Sequence, residues 1–255
     1  MMFARNLLVA LVLAAAAPLP AFAQDDANGV NQAVVNSEAF LNGHPDLRHR
    51  LSGLRHYREG NYEKAFAQFK RAARYADKPA QGMVAEMLWK GQGTAIDRPA
   101  AYIWMDLAGE RGYKQMILRR ETFWNALTEA EREQALAIGD ALFLEYADRY
   151  AKPRAERKMR QARRQTTGSR TGFSGMLTII IPTPGGSRTV DGSAFYDEKY
   201  WEPGRYWQLQ DSDWKGPPKG TVEIGDLQAG DLSAPVDEGA EAGEADEDAD
   251  AEGQR

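Results

Sequence analysis

One ten-residue pattern of apolar and small residues occurs twice in this chain, with an offset of 36 residues. It covers residues 64–73 and residues 100–109, and four pairs correspond: Ala65 and Ala101, Phe66 and Tyr102, Phe69 and Met105, and Ala72 and Ala108. These positions recur at i, i+1, i+4 and i+7, so they fall on one face of an α-helix. A repeat of this length is typical of stacked helical units, and the chain is therefore predicted to be mainly α-helical.

Each copy is preceded by a second predicted helix that ends at glycine. In the first unit this helix spans residues 46–59 and is followed by Gly60. In the second unit it spans residues 80–90 and is followed by Gly91 and Gly93. Glycine is favoured after a helix because it adopts the left-handed backbone conformation without steric cost. The turn of the second unit is five residues longer, so two helix-turn-helix units with different turns are predicted.

The second unit resembles the Sel-one-like repeat, a relative of the tetratricopeptide repeat with a glycine-bearing loop between its two helices. The residues that carry this resemblance are Gly91, Gly93, Ala101, Trp104, Ala108 and Gly112. The first unit is similar to the plain tetratricopeptide form through Tyr57, Gly60, Ala65, Phe69 and Ala72. The resemblance covers about residues 44–126. It implies a short α-solenoid that binds a protein or peptide on its concave face, with no catalytic residue and no cofactor.

The chain after these units supplies the further helices that a short solenoid needs at its end. Residues 114–126 show helical apolar spacing, and Thr128 with Glu131 forms a capping-box pattern that begins a helix to about residue 150. A helical repeat domain is therefore predicted at residues 38–150. Its large apolar side chains are expected to form a core rather than contact a ligand, because a core requires such groups at helical spacing.

Residues 1–23 have the three-part pattern of a secretory signal peptide. Arg5 precedes the apolar run LLVALVLAAAA, and Ala21 and Ala23 are the small residues before a predicted cut ahead of Gln24. The run has 11 residues and measures about 16 Å as a helix, too short for a hydrocarbon core of about 30 Å. A periplasmic or secreted bacterial protein with no membrane span after cleavage is predicted, and an uncleaved anchor is the alternative.

Charge is distributed unevenly along the chain, whose formal net charge is −5. Residues 221–255 hold twelve acidic residues and one basic residue, which predicts a disordered acidic tail at residues 226–255. Residues 152–170 hold eight basic residues and one acidic residue. This basic connector, at residues 151–170, is interpreted as a linker or solvated helix face, as a site for an acidic protein or anionic lipid, or as a transient contact of the tail. Nucleic acid is disfavoured by the export segment, and Pro153 is expected to break or restart the preceding helix.

Residues 171–225 are predicted to form a β/loop segment rich in aromatic residues. Residues 176–181 are β-branched and apolar, so they are expected to form a strand. Within the chain it is expected to pair with residues 189–190 or 221–224, and addition to a strand edge of a partner is the alternative. Residues 193–214 hold seven aromatic side chains. Aromatic and arginine side chains are typical interface anchors, and the partner-binding candidates are Tyr200, Trp201, Arg205, Tyr206 and Trp207. A cell-wall glycan (peptidoglycan) is an alternative ligand, and completion of a small core is a third interpretation.

Few residues are available for catalysis or metal binding. The chain has no cysteine, which excludes disulfides, thiolate metal sites and a cysteine nucleophile. Its three histidines lie within residues 44–56, at a spacing that does not favour a metal site. An enzyme would need an acid pair from Asp197, Glu198 and Glu202, which are predicted to lie in a loop. No enzyme activity, metal or cofactor is therefore predicted, and the favoured function is a protein-interaction adaptor in the cell envelope.

Overall fold

Helices account for most of the structure, a computed structural model that describes residues 30–167, 177–183 and 186–215. The described residues form these elements in chain order: α1 Gln32–Val35, α2 Glu38–Gly43, α3 Pro45–Arg58, α4 Tyr62–Ala73, α5 Lys78–Lys90, α6 Arg98–Gly109, α7 Lys114–Ala126, α8 Glu129–Tyr146, α9 Asp148–Thr167, β1 Thr178–Thr183, β2 Gly186–Asp191, α10 Gly192–Phe195, α11 Glu198–Trp201 and α12 Pro203–Lys215. The chain is therefore mainly helical, as the repeat predicts.

The helices predicted from the repeat and its flanks are present. Those predicted at 46–59, 64–73, 80–90, 100–109 and 114–126 correspond to α3 through α7, and their bounds differ by no more than two residues. The agreement follows from a periodic apolar face combined with a clear signal at each end.

Side-chain caps and glycines define the helix ends. Asp77 Oδ1 accepts a hydrogen bond from the backbone N–H of Ala80, 2.8 Å away, at the start of α5. Thr128 and Glu131 form the predicted capping box at the start of α8. Positive φ angles are adopted by the predicted turn glycines Gly60, Gly91, Gly93 and Gly112.

A first hydrophobic core, here called the repeat core, lies among α4, α5, α6 and α8. α3 packs on α4, α5 packs on α6, and both α7 and α8 pack on α6. The repeat core contains six of the residues that carry the repeat resemblance: Ala65, Phe69, Ala72, Ala101, Trp104 and Ala108. The apolar faces of the repeated helices therefore point into one core, as their spacing predicts.

A second hydrophobic core, here called the C-terminal core, joins the two ends of the described chain. Its members come from α1 to α3, from the turn before α5, from α9, from both strands and from the segment of α10 to α12: Val34, Phe40, Leu47, Ala76, Ala151, Ala155, Met159, Ile181, Val190, Phe195, Tyr196, Tyr200, Trp201, Tyr206 and Trp207. Gly43 in α2 allows close packing here, because a Cβ added to it would lie 2.7 Å from the Trp201 ring. The domain predicted at residues 38–150 and the segment predicted at 171–225 therefore share a core.

The predicted strand is confirmed, and its partner is one of the two predicted. β1 pairs with β2 in antiparallel register, with Ile179 opposite Val190 and Ile180 opposite Thr189. Ile181 and Val190 are buried in the C-terminal core, which covers the hairpin on that side. A two-stranded hairpin is marginally stable alone, so this core contact is what supports it.

The β/loop prediction for residues 171–225 is wrong for residues 193–214, which form most of α10, α11 and most of α12. Glu202 is the C-cap of α11 and Pro203 begins α12. Proline suits the first turn of a helix, where its missing N–H has no partner to lose. Glu202 and Pro203 therefore mark the boundary between two helices.

The basic connector is a helix over its described part. α9 begins at Asp148 and continues through Pro153. The prediction that Pro153 breaks or restarts a helix is therefore wrong. The break lies at Ala147, which has an extended ψ of 152°. At this break the backbone N–H of Asp148 donates to Glu110 Oε2 at 2.9 Å. Because one face of α9 belongs to the C-terminal core, the linker interpretation is wrong for this helix.

Three predictions concern residues outside the described ranges: the signal peptide at 1–23, the end of the connector at 168–170 and the acidic tail at 226–255. Every described residue lies within one compact unit, which ends at Pro217. Among these residues, no helix is both long and apolar enough to cross a membrane.

Candidate partner-binding grooves

The aromatic residues predicted to bind a partner lie inside the C-terminal core. The exposed fraction is 0% for Tyr200 and Tyr206, 2% for Trp201 and 7% for Trp207. Phe40 meets the rings of Tyr200 and Trp201 edge to face, with centroid distances of 5.6 and 5.7 Å, a geometry that stabilises a core. The interpretation of these rings as surface anchors is therefore corrected, and they complete a core instead.

The polar atoms of these four rings are hydrogen-bonded within the protein. The hydrogen bonds are Asn31 N–H to Tyr200 Oη at 2.7 Å, Trp201 Nε1 to Phe195 O at 2.7 Å, Trp207 Nε1 to Glu156 Oε1 at 3.1 Å, and the Tyr206 hydroxyl to the Asp46 carboxylate. Buried polar groups need such partners. Because the faces of these four rings are buried as well, they offer a glycan no stacking platform in this structure.

Arg205 is the exposed member of the predicted set. Its guanidinium pairs with Glu198 at 3.2 Å, and the two side chains are 62% and 65% exposed. An exposed pair of this kind contributes about 0–1 kcal/mol and is easily broken. A single arginine does not form a site, but two grooves lie beside α3 in the first helical unit.

Two grooves flank the exposed face of α3. The first, here called the cationic groove, has a volume of about 420 Å³ and lies between α2, α3 and α4. Arg48 and Arg55 are exposed on its wall. The complete lining is Leu41, Arg48, His49, Leu51, Ser52, Arg55 and Gln68. Because this lining contains two arginines and no carboxylate, the groove is positively charged at neutral pH.

The second groove, here called the apolar groove, has a volume of about 190 Å³. It is lined by Val30, Gln32, Val35, Asn36, Phe40, Leu47, Arg50, Leu51, Tyr200, Tyr206, Leu209 and Gln210. Its charged lining residue is Arg50, whose guanidinium pairs with Asp77 at 3.1 Å. Leu51 belongs to both grooves and is 39% exposed. The cationic and apolar grooves therefore adjoin at one leucine.

Hydrogen bonds hold the wall of the cationic groove. His49 Nδ1 lies 2.8 Å from Gln68 Oε1, and the Arg48 guanidinium donates to Asn42 Oδ1 at 2.7 Å. Burial, together with the positive charges of Arg71 and Arg48, lowers the pKa of His49 below its ordinary value. His49 is therefore mainly neutral at pH 7, and the positive charge of the groove comes from arginine.

A buried ionic network, which no local sequence pattern predicts, lies between α5 and the start of α9. Lys78, whose side chain is fully buried at the start of α5, donates to Glu110 Oε2 at 2.7 Å and lies 3.0 Å from Asp148 Oδ1. Arg111 donates twice to the same Asp148 carboxylate, at 2.7 and 3.0 Å. Lysine is rarely buried unless paired, and Glu110 is 32 residues from Lys78, so no local pattern predicts this site. The network joins α5, the end of α6 and the start of α9.

The network continues to α12. Arg111 lies over the Trp207 ring at 4.9 Å. Although burial opposes its ionisation, the Arg111 guanidinium and the Lys78 ammonium hold the pKa of Asp148 well below its usual range. Burial raises the pKa of Asp77 to about 6, against the attraction of Arg50. Charged pairs thus support the packing of the C-terminal core against the helical units.

His44 is expected to stay neutral at pH values well below the ordinary pKa of histidine. Its ring is buried between the carbonyl groups of Phe40 and Tyr200, at 2.9 and 2.8 Å. Burial lowers its pKa to about 4, against these two carbonyl contacts, which favour the charged imidazolium. Between pH 6.5 and 4 the unfolded chain binds a proton at this residue that the folded chain does not. The free energy of unfolding therefore falls by about 1.4 kcal/mol for each pH unit between 6.5 and 4. Ring chemical shifts should show no titration of His44 above about pH 5, and a midpoint near 6.5 would contradict this.

The described residues also allow a test for metal sites. Among them, no group of three or more His, Asp or Glu side chains is placed to hold a metal ion. No protein-family model matches the chain, and neither a curated protein nor a solved structure matches it. Evidence for function therefore comes from the chain's own surface, above all from the two grooves beside α3.

Proposed function

We propose that this chain is a non-catalytic adaptor of the bacterial cell envelope, exported with a signal peptide that is cleaved after Ala23. Its helical units form a Sel-one-like solenoid, which binds an extended segment of another protein along α3. The observation that carries the proposal is the meeting of a cationic groove and an apolar groove at Leu51.

The chemistry of the grooves specifies the segment. Arg48 and Arg55 are seven residues apart, which is about 10 Å along α3. Their guanidinium groups can each bind a carboxylate with two parallel hydrogen bonds. The apolar groove next to them suits an aliphatic or aromatic side chain. The proposed ligand is therefore a peptide segment with acidic residues on one side of an apolar residue.

An extended peptide suits this surface better than a small molecule. Small-molecule sites are usually single concave pockets that enclose most of the ligand. Here two shallow grooves adjoin along one helix, and an extended segment can contact both at once. Protein interfaces combine an apolar centre with a polar rim, and Leu51 with its flanking arginines provides that arrangement.

Selection from a random-peptide library on the full chain is expected to enrich peptides that combine an apolar residue with Asp or Glu. Reversing two charges in the double variant Arg48→Glu and Arg55→Glu should weaken the selected peptide by about tenfold or more, because two attractive contacts become repulsive. Isothermal titration of that peptide against the wild-type and variant proteins gives the comparison.

The matched control reverses two positive charges that lie away from the grooves. Arg58 and Lys64 are exposed but line neither groove, so Arg58→Glu with Lys64→Glu should leave the affinity within about twofold. Equal weakening by both double variants would mean that net charge alone drives binding. Such a result, or enrichment of peptides without acidic residues, would refute the groove as the binding site.

A further inference from the structure

α9 carries a line of arginines on the side opposite to the C-terminal core. Arg157, Arg160 and Arg164, here called the arginine stripe, follow at the helical spacing i, i+3 and i+7, and all three are exposed. With Gln161 they line a shallow trough of about 370 Å³. The buried residues on the other side of the helix are Ala151, Ala155 and Met159. Packing fixes the rotation of the helix, so the stripe is held outward.

The arginine stripe is only weakly neutralised by its surroundings. Glu156 lies 3.6 Å from Arg160, but its other carboxylate oxygen accepts the hydrogen bond of Trp207 Nε1. Within the described residues, Arg157 and Arg164 form no ion pair. Lys158 is also exposed on this helix. A concentrated positive charge therefore faces outward along α9.

We propose that the arginine stripe binds the phosphate groups of an anionic phospholipid surface. Guanidinium groups match phosphate oxygens with paired hydrogen bonds. The stripe lies on the outside of one 20-residue helix, a shape that suits a broad flat surface rather than an inserted peptide. Tyr150, seven residues before Arg157 and 39% exposed, lies on the same side, and its amphipathic ring is of the kind enriched at membrane interfaces.

A protein partner fits the arginine stripe less well. Interface hot spots are aromatic or arginine side chains packed into desolvated pockets near the centre of the contact, whereas these arginines lie on an exposed helix face with only glutamine between them. The apolar side of α9 is buried in the C-terminal core, so the helix has no free apolar face to insert into a bilayer. Attachment is therefore electrostatic and lies at the membrane surface. This surface is separate from the grooves beside α3.

Vesicle sedimentation tests this assignment with the full chain. Vesicles of phosphatidylcholine mixed with phosphatidylglycerol should bind the protein at low salt, and high salt should release it. Each arginine removed should weaken the partition coefficient about fivefold, so the triple variant Arg157→Gln, Arg160→Gln and Arg164→Gln should lose roughly 100-fold. A matched variant, Arg58→Gln with Lys64→Gln and Arg71→Gln, removes the same charge elsewhere and should bind as the wild type does.

Three outcomes would overturn the assignment. The first is equal binding by the triple variant and the wild type, provided that circular dichroism shows both to be folded. The second is equal binding to vesicles of pure phosphatidylcholine, which would indicate an apolar contact. The third is tighter binding of the stripe to a short DNA duplex than to the anionic vesicles, which would indicate a nucleic-acid site. Loss of vesicle binding in the triple variant, but not in the matched variant, supports the proposal. Peptide binding at α3 should be unchanged in the triple variant.

Discussion

Asp148→Ala is expected to lower the free energy of unfolding by about 3–5 kcal/mol, because it removes the shared partner of two buried cations. The side chains of Lys78 and Arg111 are 0% and 6% exposed, so neither cation can recover full hydration when the carboxylate is lost. Glu110 retains its contact with Lys78, but Arg111 loses both short hydrogen bonds to Asp148. Urea unfolding followed by circular dichroism gives the value.

The control for this prediction is Asp106→Ala. Asp106 pairs with Arg120 at 2.8 Å, but both side chains are about 30% exposed, so the loss should be below about 1 kcal/mol. The pKa of Asp148 is depressed in the fold, so its contribution is complete above the unfolded-state pKa of about 3.9 and disappears as the pH falls below it. Equal losses from Asp148→Ala and Asp106→Ala would refute the role of the network.

Gly93→Ala is expected to have the second large effect. It should lower the free energy of unfolding by about 3–4 kcal/mol, because backbone strain and overlap of the new Cβ with neighbouring atoms act together. Gly93 has a φ of 71°, which is unfavourable for alanine. A Cβ at this position would also lie 2.2 Å from the carbonyl carbon of Tyr62 and 2.5 Å from the backbone nitrogen of Glu63. These are main-chain atoms at the start of α4 and cannot move aside as a side chain can. Thermal and urea unfolding of the variant measure the loss.

Gly60→Ala separates the two causes. Gly60 has a φ of 75°, close to that of Gly93, but a Cβ added there would meet no atom within 4 Å. Its substitution should therefore cost only the conformational strain, about 1–2 kcal/mol. If Gly93→Ala costs no more than Gly60→Ala, the close approach of the second turn to α4 does not contribute to stability.

The helical units could be predicted from sequence because their signals are local. An apolar face, a capping side chain and a terminal glycine all lie within one helix, and these signals place the bounds of α5 close to Lys78 and Lys90. The longer glycine-bearing turn was also visible. The need for glycine at position 93, where the turn contacts α4, could not be predicted, because this contact joins two units.

The C-terminal core could not be predicted for a different reason. The aromatic residues of α11 and α12 are buried by Phe40 and by α9, which are distant in sequence. Residues 193–214 are interrupted by polar residues and a proline, so local patterns favoured a loop. The apolar groove depends on this packing, because Tyr200 and Tyr206 form one of its walls. Neither groove follows from the sequence of α3 alone.

Site-specific photocrosslinking in cells tests the proposed function most directly. A photoreactive residue at Leu51, where the two grooves meet, should form an adduct with a partner protein, and the adduct should disappear in the Arg48→Glu and Arg55→Glu background. The matched position is Leu136 on α8, which is 66% exposed and lines neither groove. The proposal predicts an arginine-dependent adduct at Leu51 and none at Leu136. Absence of an adduct at Leu51, or the same adducts at both positions, would contradict it.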